Sequence, residues 1–159
     1  MIALPDILIL RDPRESTKKC SLTPLRGREG VTFIRYQPDR RVDAGGRIVL
    51  DPKGAPFTAA DRGAGLLLID SNWRRAPKLA ARVDGPLRRR RLPKLRTAYP
   101  RMSRDDSDPD GGLASIEALY IASLLVGTPD IGLLDAYRWR DEFLALNAEF
   151  LATFIADNP

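Results

Sequence analysis

The run Leu66-Leu67-Leu68-Ile69-Asp70-Ser71-Asn72-Trp73 constrains this chain more than any other segment. Its first four residues are apolar without alternation, the pattern of a strand buried on both faces. It then turns polar at once, ending in a carboxylate, a hydroxyl, an amide and a large aromatic ring. Open α/β sheets bind ligands at the carboxyl ends of their strands. The run therefore predicts a central strand over 66–70 with a site at its mouth.

Other segments fit around it. "DILIL" (6–10), "VTFIRY" (31–36) and "GRIVLDP" (46–52) predict strands, the last halted by its Asp-Pro pair, and "RRRRLP" predicts a short final one. Thr58 is placed to cap a short helix that Gly63 or Gly65 ends. "SNWRRAPKLAARV" predicts a helix, either capped by Ser71 or started at Pro77. Residues 96–112 form a loop rich in Pro, Gly and Asp, of a length usually reserved for function or mobility. Two helices follow, one over "LASIEALYIASLLVG" ending at Gly127, and one carrying a core stripe of Leu134, Trp139, Phe143, Leu144, Phe150, Leu151 and Phe154. Strands alternating with helix early and helices dominating late predict an α/β fold with a mostly parallel sheet and a helical C-terminus.

Composition excludes several chemistries. The chain has no histidine, so Ser-His and Cys-His nucleophiles and His-ligated metals are ruled out. Its single cysteine, Cys20, rules out an internal disulfide and a cysteine-rich zinc site, and is read as a small residue without a reactive role. Acid–base work falls to Asp, Glu, Lys, Tyr or the substrate. No apolar run approaches the roughly 20 residues of a membrane span, and no signal peptide is read at the start, so the cytoplasm is the default compartment.

Charge is distributed unevenly. Residues 71–104 hold 12 Lys and Arg against one acid, Asp84, whereas residues 105–159 hold 11 acids against Arg138 and Arg140. The central block includes Arg74, Arg75, Arg88, Arg89, Arg90, Arg91, Lys94 and Arg96. It is either a solvated surface or the footprint of a polyanion, with RNA the favoured partner.

Six segments in order carry a family resemblance: "RDP…KKCS" (11–21), "LDP" with "TAADR" (50–62), "LLLIDSNW" (66–73), "RRLPKLRTAYP" (90–100), "LASIEAL" (113–119) and "YRWRDEFLALNAEFL" (137–151). Together they resemble the ribosome-biogenesis aminocarboxypropyltransferases that modify a pseudouridine in small-subunit ribosomal RNA. The related DTW-domain enzymes, with a similar D-x-x-W motif, place the same group on transfer RNA uridines. The resemblance implies a SPOUT-like fold with a C-terminal trefoil knot, in a single domain over 1–159. Within it, 1–45 would be a strand-and-loop lobe and 46–159 the cofactor-binding part. It further implies S-adenosylmethionine as group donor, no metal, a monomer, and as partner small-subunit rRNA or a pre-ribosomal particle rather than transfer RNA. Departures fall at Ala98-Tyr99-Pro100, which replaces the family's "AANPVNYG" and precedes an acidic insertion, at Ser71 for the usual cysteine, and at Trp139-Arg140 for Trp-Gly.

By that resemblance Asp70 and Trp73 carry the chemistry. A sulfonium offers three carbons to a nucleophile, so orientation is the main resource and is worth roughly 7 to 11 kcal/mol. The face of Trp73 attracts the sulfonium, by about 0.5 to 2 kcal/mol, and its bulk, with Ala76, walls off the methyl. Asp70 contacts the cofactor's amino group or helps deprotonate the attacking ring nitrogen. Ser21 and Ser115 hydrogen-bond the amino-acid end, while Leu50, Ile69, Leu92 and Leu95 hold ribose and adenine. Structural roles stand beside these: Trp73 as a core anchor, Asp70 or Ser115 as helix caps, and Glu117, the acid of the fifth motif, as a surface or capping residue. Two other activities remain open, SPOUT-type methyl transfer and non-catalytic RNA binding in assembly.

Overall fold

The computed structural model describes residues 5–14, 21–100 and 112–157. Cys20 and most of the acidic insertion lie outside them. Five parallel strands form the main sheet in the order β2-β1-β5-β4-β7, with β1 at Ile7–Arg11, β2 at Val31–Arg35, β4 at Ile48–Pro56, β5 at Leu66–Asp70 and β7 at Arg88–Arg91. The predicted central strand is β5, with the expected bounds. It pairs with β1 along its whole length, from Ile7↔Leu66 to Arg11↔Asp70.

Both faces of these inner strands are covered, as an all-parallel sheet requires. Side chains alternate across a strand, so Ile7, Ile9, Leu66 and Leu68 enter one apolar cluster while Leu8, Leu10 and Leu67 enter the other. The first cluster is closed by α2 (Ser115–Leu125), α3 (Arg140–Leu146) and α4 (Ala148–Asp157), through Leu119, Phe143 and Leu151 among others. The second is closed by Leu79 of α1 (Ala76–Ala80). The helix α2 is buried nearly all round, from Ile116 to Leu124, which is why it is apolar on every face rather than striped.

Three local expectations need correction and one is sharpened. The Asp51-Pro52 pair does not stop β4; the strand passes it on a bulge, with a register shift between Leu50 and Ala55 opposite Arg90. Pro52 is tolerated there because a bulge interrupts the hydrogen-bond ladder. At Gly54 any Cβ would sit 2.7 Å from the Arg89 backbone, so the bulge needs glycine to lie on β7. The short helix after Thr58 is present as a single 3-10 turn, Ala59–Asp61, with Thr58 and Asp61 forming a capping box and Gly63 following with positive φ. Ser71 does not cap α1: the Asn72 Oδ1 accepts from the Arg75 N–H at 2.9 Å, and Pro77 sits in the first turn. The C-terminal stripe is broken, into a 3-10 turn at Ile131–Leu134 and then α3 and α4 on either side of Asn147. A two-stranded parallel ribbon, β3 (Val42–Asp43) with β6 (Val83–Asp84), was not anticipated. Arg41 pairs with Asp84 beside it.

Candidate active site

The carboxyl ends of β1 and β5 meet in a buried charged network. Arg11 Nε donates to Asp70 Oδ2 at 2.9 Å, and both side chains are less than a tenth exposed. Arg11 also lies over the Phe33 ring, 4.7 Å from its centroid. The next residue, Asp12, is wholly buried. Its carboxylate accepts from Ser71 Oγ at 2.9 Å, from Arg75 Nε at 2.6 Å and from the Arg14 N–H at 3.1 Å. Its own N–H donates to the Asp70 carbonyl at 2.9 Å. Burial pushes the Asp12 carboxyl up, but Arg75, the Arg14 N–H and Ser71 outweigh it and hold the group below the usual range.

One carboxylate thus grips both ends of the 71–75 loop, and Trp73 stands at the tip. It is 46% exposed and belongs to neither apolar cluster. The core-anchor role is therefore excluded. Asp70 is not a helix cap either, since its carboxylate faces Arg11 across the sheet. Leaving a large ring in water costs hydrophobic free energy, which a binding partner for that ring would recover.

A second buried carboxylate organises the segment after β7. Glu117 is fully buried in α2 and accepts from Thr97 Oγ1 at 2.6 Å, the Ala98 N–H at 2.9 Å, the Ala114 N–H at 2.8 Å and the Tyr137 hydroxyl at 2.9 Å. Asn147 reads the same segment through the Arg96 backbone, accepting from its N–H at 2.9 Å and donating to its carbonyl at 2.8 Å. Asn147 also marks the break between α3 and α4, where its backbone leaves helical angles. Between these anchors Leu92 and Leu95 pack, with Leu50, on the α2 side of the sheet. Ile69 packs on the opposite side.

The remaining predicted contacts are dispersed. Ala76 opens α1 three residues past the Trp73 tip, close enough in sequence to share its wall. Ser21 is half-buried beside Leu22. Ser115 opens α2 but does not cap it, a position that Ala114 takes with Glu117 reaching back to its N–H. An open groove of about 350 Å³ between residues 24–28 and 132–136 contains none of the residues singled out from the sequence.

The arginine block is partly neutralised from within. Alternation along β7 turns Arg88 and Arg90 onto the wholly buried Asp61, at 2.8 and 2.9 Å. Arg89 pairs with Asp51 at 3.0 Å, and Arg75 is held by Asp12. Of the predicted phosphate contacts, Arg91, Lys94 and Arg96 are exposed and hold no carboxylate among the described residues, although Arg91 Nη1 donates to the Gly54 carbonyl at 3.5 Å. Counting arginines overstated the free charge, because sequence does not show which of them already have partners.

Asp61 makes stability acid-sensitive. Burial alone raises its carboxyl, yet Arg90, the Thr58 N–H and Arg88 together hold it below the ordinary aspartate range. A folded-state value below the unfolded one, about 3.9, adds stability that is present above about pH 4 and is lost as pH falls through the folded value. Urea titrations between about pH 2 and 5 should therefore show a steep acid limb, flattened in Asp61→Asn. An identical limb in the variant would mean that other carboxylates carry the acid transition.

A parallel sheet with its polar groups collected beyond the ends of β1 and β5 defines an open α/β ligand-binding protein. No family model matches the chain, and no curated protein does. Among solved structures it is similar to the SAM-dependent rRNA:acp-transferase Tsr3 from Vulcanisaeta distributa, at 29% identity. The match covers 98% of this chain and 85% of that one, with a TM-score of 0.73.

Residues that matter here but were not singled out are Arg11, Asp12, Asp61, Tyr137 and Asn147. Arg11 and Asp12 lie in the quoted "RDP" motif, and their signal was adjacency to a predicted strand end. Asp61 lies in the quoted "TAADR", three residues after Thr58 as a capping box requires, and Tyr137 and Asn147 lie in the last quoted motif; what the sequence did not show is their partners.

Proposed function

We propose that this chain is an enzyme that transfers the 3-amino-3-carboxypropyl group of S-adenosylmethionine to a uridine or pseudouridine of small-subunit rRNA during ribosome biogenesis. The observation that carries the reading is the likeness to Tsr3 along nearly the whole chain. The clamped loop at the end of β5 supports it, because it offers an exposed ring beside a fixed carboxylate. The residues present suit the donor: an aromatic face for a sulfonium, Asp70 for an ammonium group, and the half-buried Leu50, Leu92 and Leu95 for adenine. Ser21 and Ser115 are assigned to the amino-acid end, and Ile69 to the ribose through its backbone.

The sulfonium supplies the electrophilic carbon. The reaction joins that carbon to a ring nitrogen of the base, breaks its bond to sulfur and releases methylthioadenosine. The ring nitrogen's proton leaves to Asp70 or to water beside it. Trp73 and Ala76 cover the methyl, so that the longer chain faces the RNA. Arg91, Lys94 and Arg96 are the cations left to meet phosphates, and no metal takes part. We further assign the fold to the SPOUT-like class with a C-terminal trefoil knot, and the protein to a cytoplasmic monomer.

Two preparations of the donor, labelled on the methyl or on the carboxyl carbon, decide between group transfers when each is incubated with unmodified ribosomal RNA. Carboxyl label should enter the RNA and methyl label should not. Methyl label alone would make the protein a methyltransferase. Neither label entering, with RNA still bound, would leave a non-catalytic assembly factor.

A further inference from the structure

Tyr99 is 37% exposed, and one exposed tyrosine is ordinary. What sets this one apart is how firmly it is held. Its N–H donates to Thr97 Oγ1 at 3.0 Å, and that hydroxyl donates in turn to the buried Glu117. Its ring meets the Trp139 ring edge-on, with centroids 5.2 Å apart. Trp139 meets Tyr137 edge-on at 5.9 Å, and the Tyr137 hydroxyl returns to Glu117. Backbone and ring are thus tied, by two separate routes, to a single buried carboxylate.

One cation touches this circuit and two more lie on the chain leading into it. Arg138 lies over the Trp139 ring, 5.4 Å from its centroid. Lys94 and Arg96 are exposed on the segment leading to Tyr99, and none of the three holds a carboxylate among the described residues. An immobilised aromatic face flanked by free positive charge suits an unpaired base with its phosphates. Base stacking on aromatic rings tolerates any sequence, and an ordered ring loses little further entropy on binding. Bases inside a duplex are already stacked and cannot use such a face.

We propose that Tyr99, backed by Trp139, is a preformed stacking platform for a nucleobase of single-stranded RNA. The inference rests on the RNA-modifying reading and adds to it the surface that orients the strand. It also gives a role to the position where the Ala98-Tyr99-Pro100 segment departs from the resembled family.

The test compares binding of an oligouridylate and of an equally long abasic ribose-phosphate oligomer at one salt concentration. The natural protein should prefer the oligomer that carries bases. Tyr99→Ala should weaken oligouridylate binding by about 5- to 150-fold, the range of one lost stacking contact, and should erase the preference. Tyr99→Phe, which keeps the ring, should retain it, whereas Tyr99→Leu, apolar but without a flat face, should lose it. A preference that survives in Tyr99→Ala and Tyr99→Leu overturns the proposal. So does binding of acidic peptides in place of RNA. Calorimetry with S-adenosylmethionine on the same proteins reports on the transferase reading by itself. Base-dependent RNA binding without donor binding would leave the platform and remove the enzyme, and the converse would do the opposite.

Discussion

Glu117→Ala should lower the free energy of unfolding by about 3 kcal/mol or more, because it breaks a buried hydrogen-bond network. The side chain serves four donors, and alanine leaves the Tyr137 hydroxyl, the Thr97 hydroxyl and two N–H groups without it. Each buried donor left unmet costs about 1 to 3 kcal/mol, and the losses overlap because one relaxation can rescue several. Glu117→Gln should cost roughly half as much, since its oxygen still accepts while its amide nitrogen faces donors. Urea unfolding at neutral pH measures both; a loss below about 1 kcal/mol for alanine would mean that water takes over the site. Alkali should act through the same contact. Burial, and then the hydrogen bond to Glu117, push the Tyr137 phenol up. Stability from this group is present below its unfolded value of about 10 and declines as pH rises beyond it.

Trp73→Ala should behave in the opposite way. The residue is nearly half exposed and joins neither apolar cluster, so stability should change by only about 0.5 kcal/mol. Donor affinity should fall about 2- to 30-fold, the equivalent of the cation–π contact. Turnover should fall further, on the order of 10²-fold, because a cofactor free to rotate no longer holds its reacting carbon in line. Trp73→Phe should recover part of the affinity and less of the turnover, since the smaller ring leaves space beside the methyl. A trace of methyl transfer in the alanine variant is the expected side product. Calorimetry and the two-label assay read these quantities separately. Unchanged affinity and turnover together would remove Trp73 from the site.

Glu117 and Asp70 are two buried carboxylates that look alike in sequence and differ in what they hold. Glu117 reads there as an acid in the first turn of a helix, equally suited to surface, cap or site. Its weight comes from Tyr137 and from the 97–98 segment, each about 20 residues away. Asp70 reads as a strand-end carboxylate open to a ligand, and it does lie at the strand end, but with Arg11 already on it. The register between β1 and β5 sets that pairing, and neither strand encodes it alone.

What the amino-acid sequence determined by itself is local and periodic. The short unbroken run 66–69, bounded by Gly65 and by polar residues, pointed to a strand covered on both faces, and β5 occupies Leu66–Asp70. The polar set after it marked the mouth of that strand, and the absence of histidine removed whole classes of chemistry before any fold was known. Tertiary structure decided the rest through strand order. Placing β4 between β5 and β7 lets the bulge pass Asp51-Pro52 and brings Asp61 under Arg88 and Arg90, so that a block read as free charge is partly internal. Placing β1 beside β5 brings Asp12 to Ser71 and Arg75, 59 and 63 residues away, and so holds Trp73 out in solvent. A charge's sequence states its sign and spacing; its partner depends on which strands become neighbours, and that choice belongs to the burial of the whole sheet.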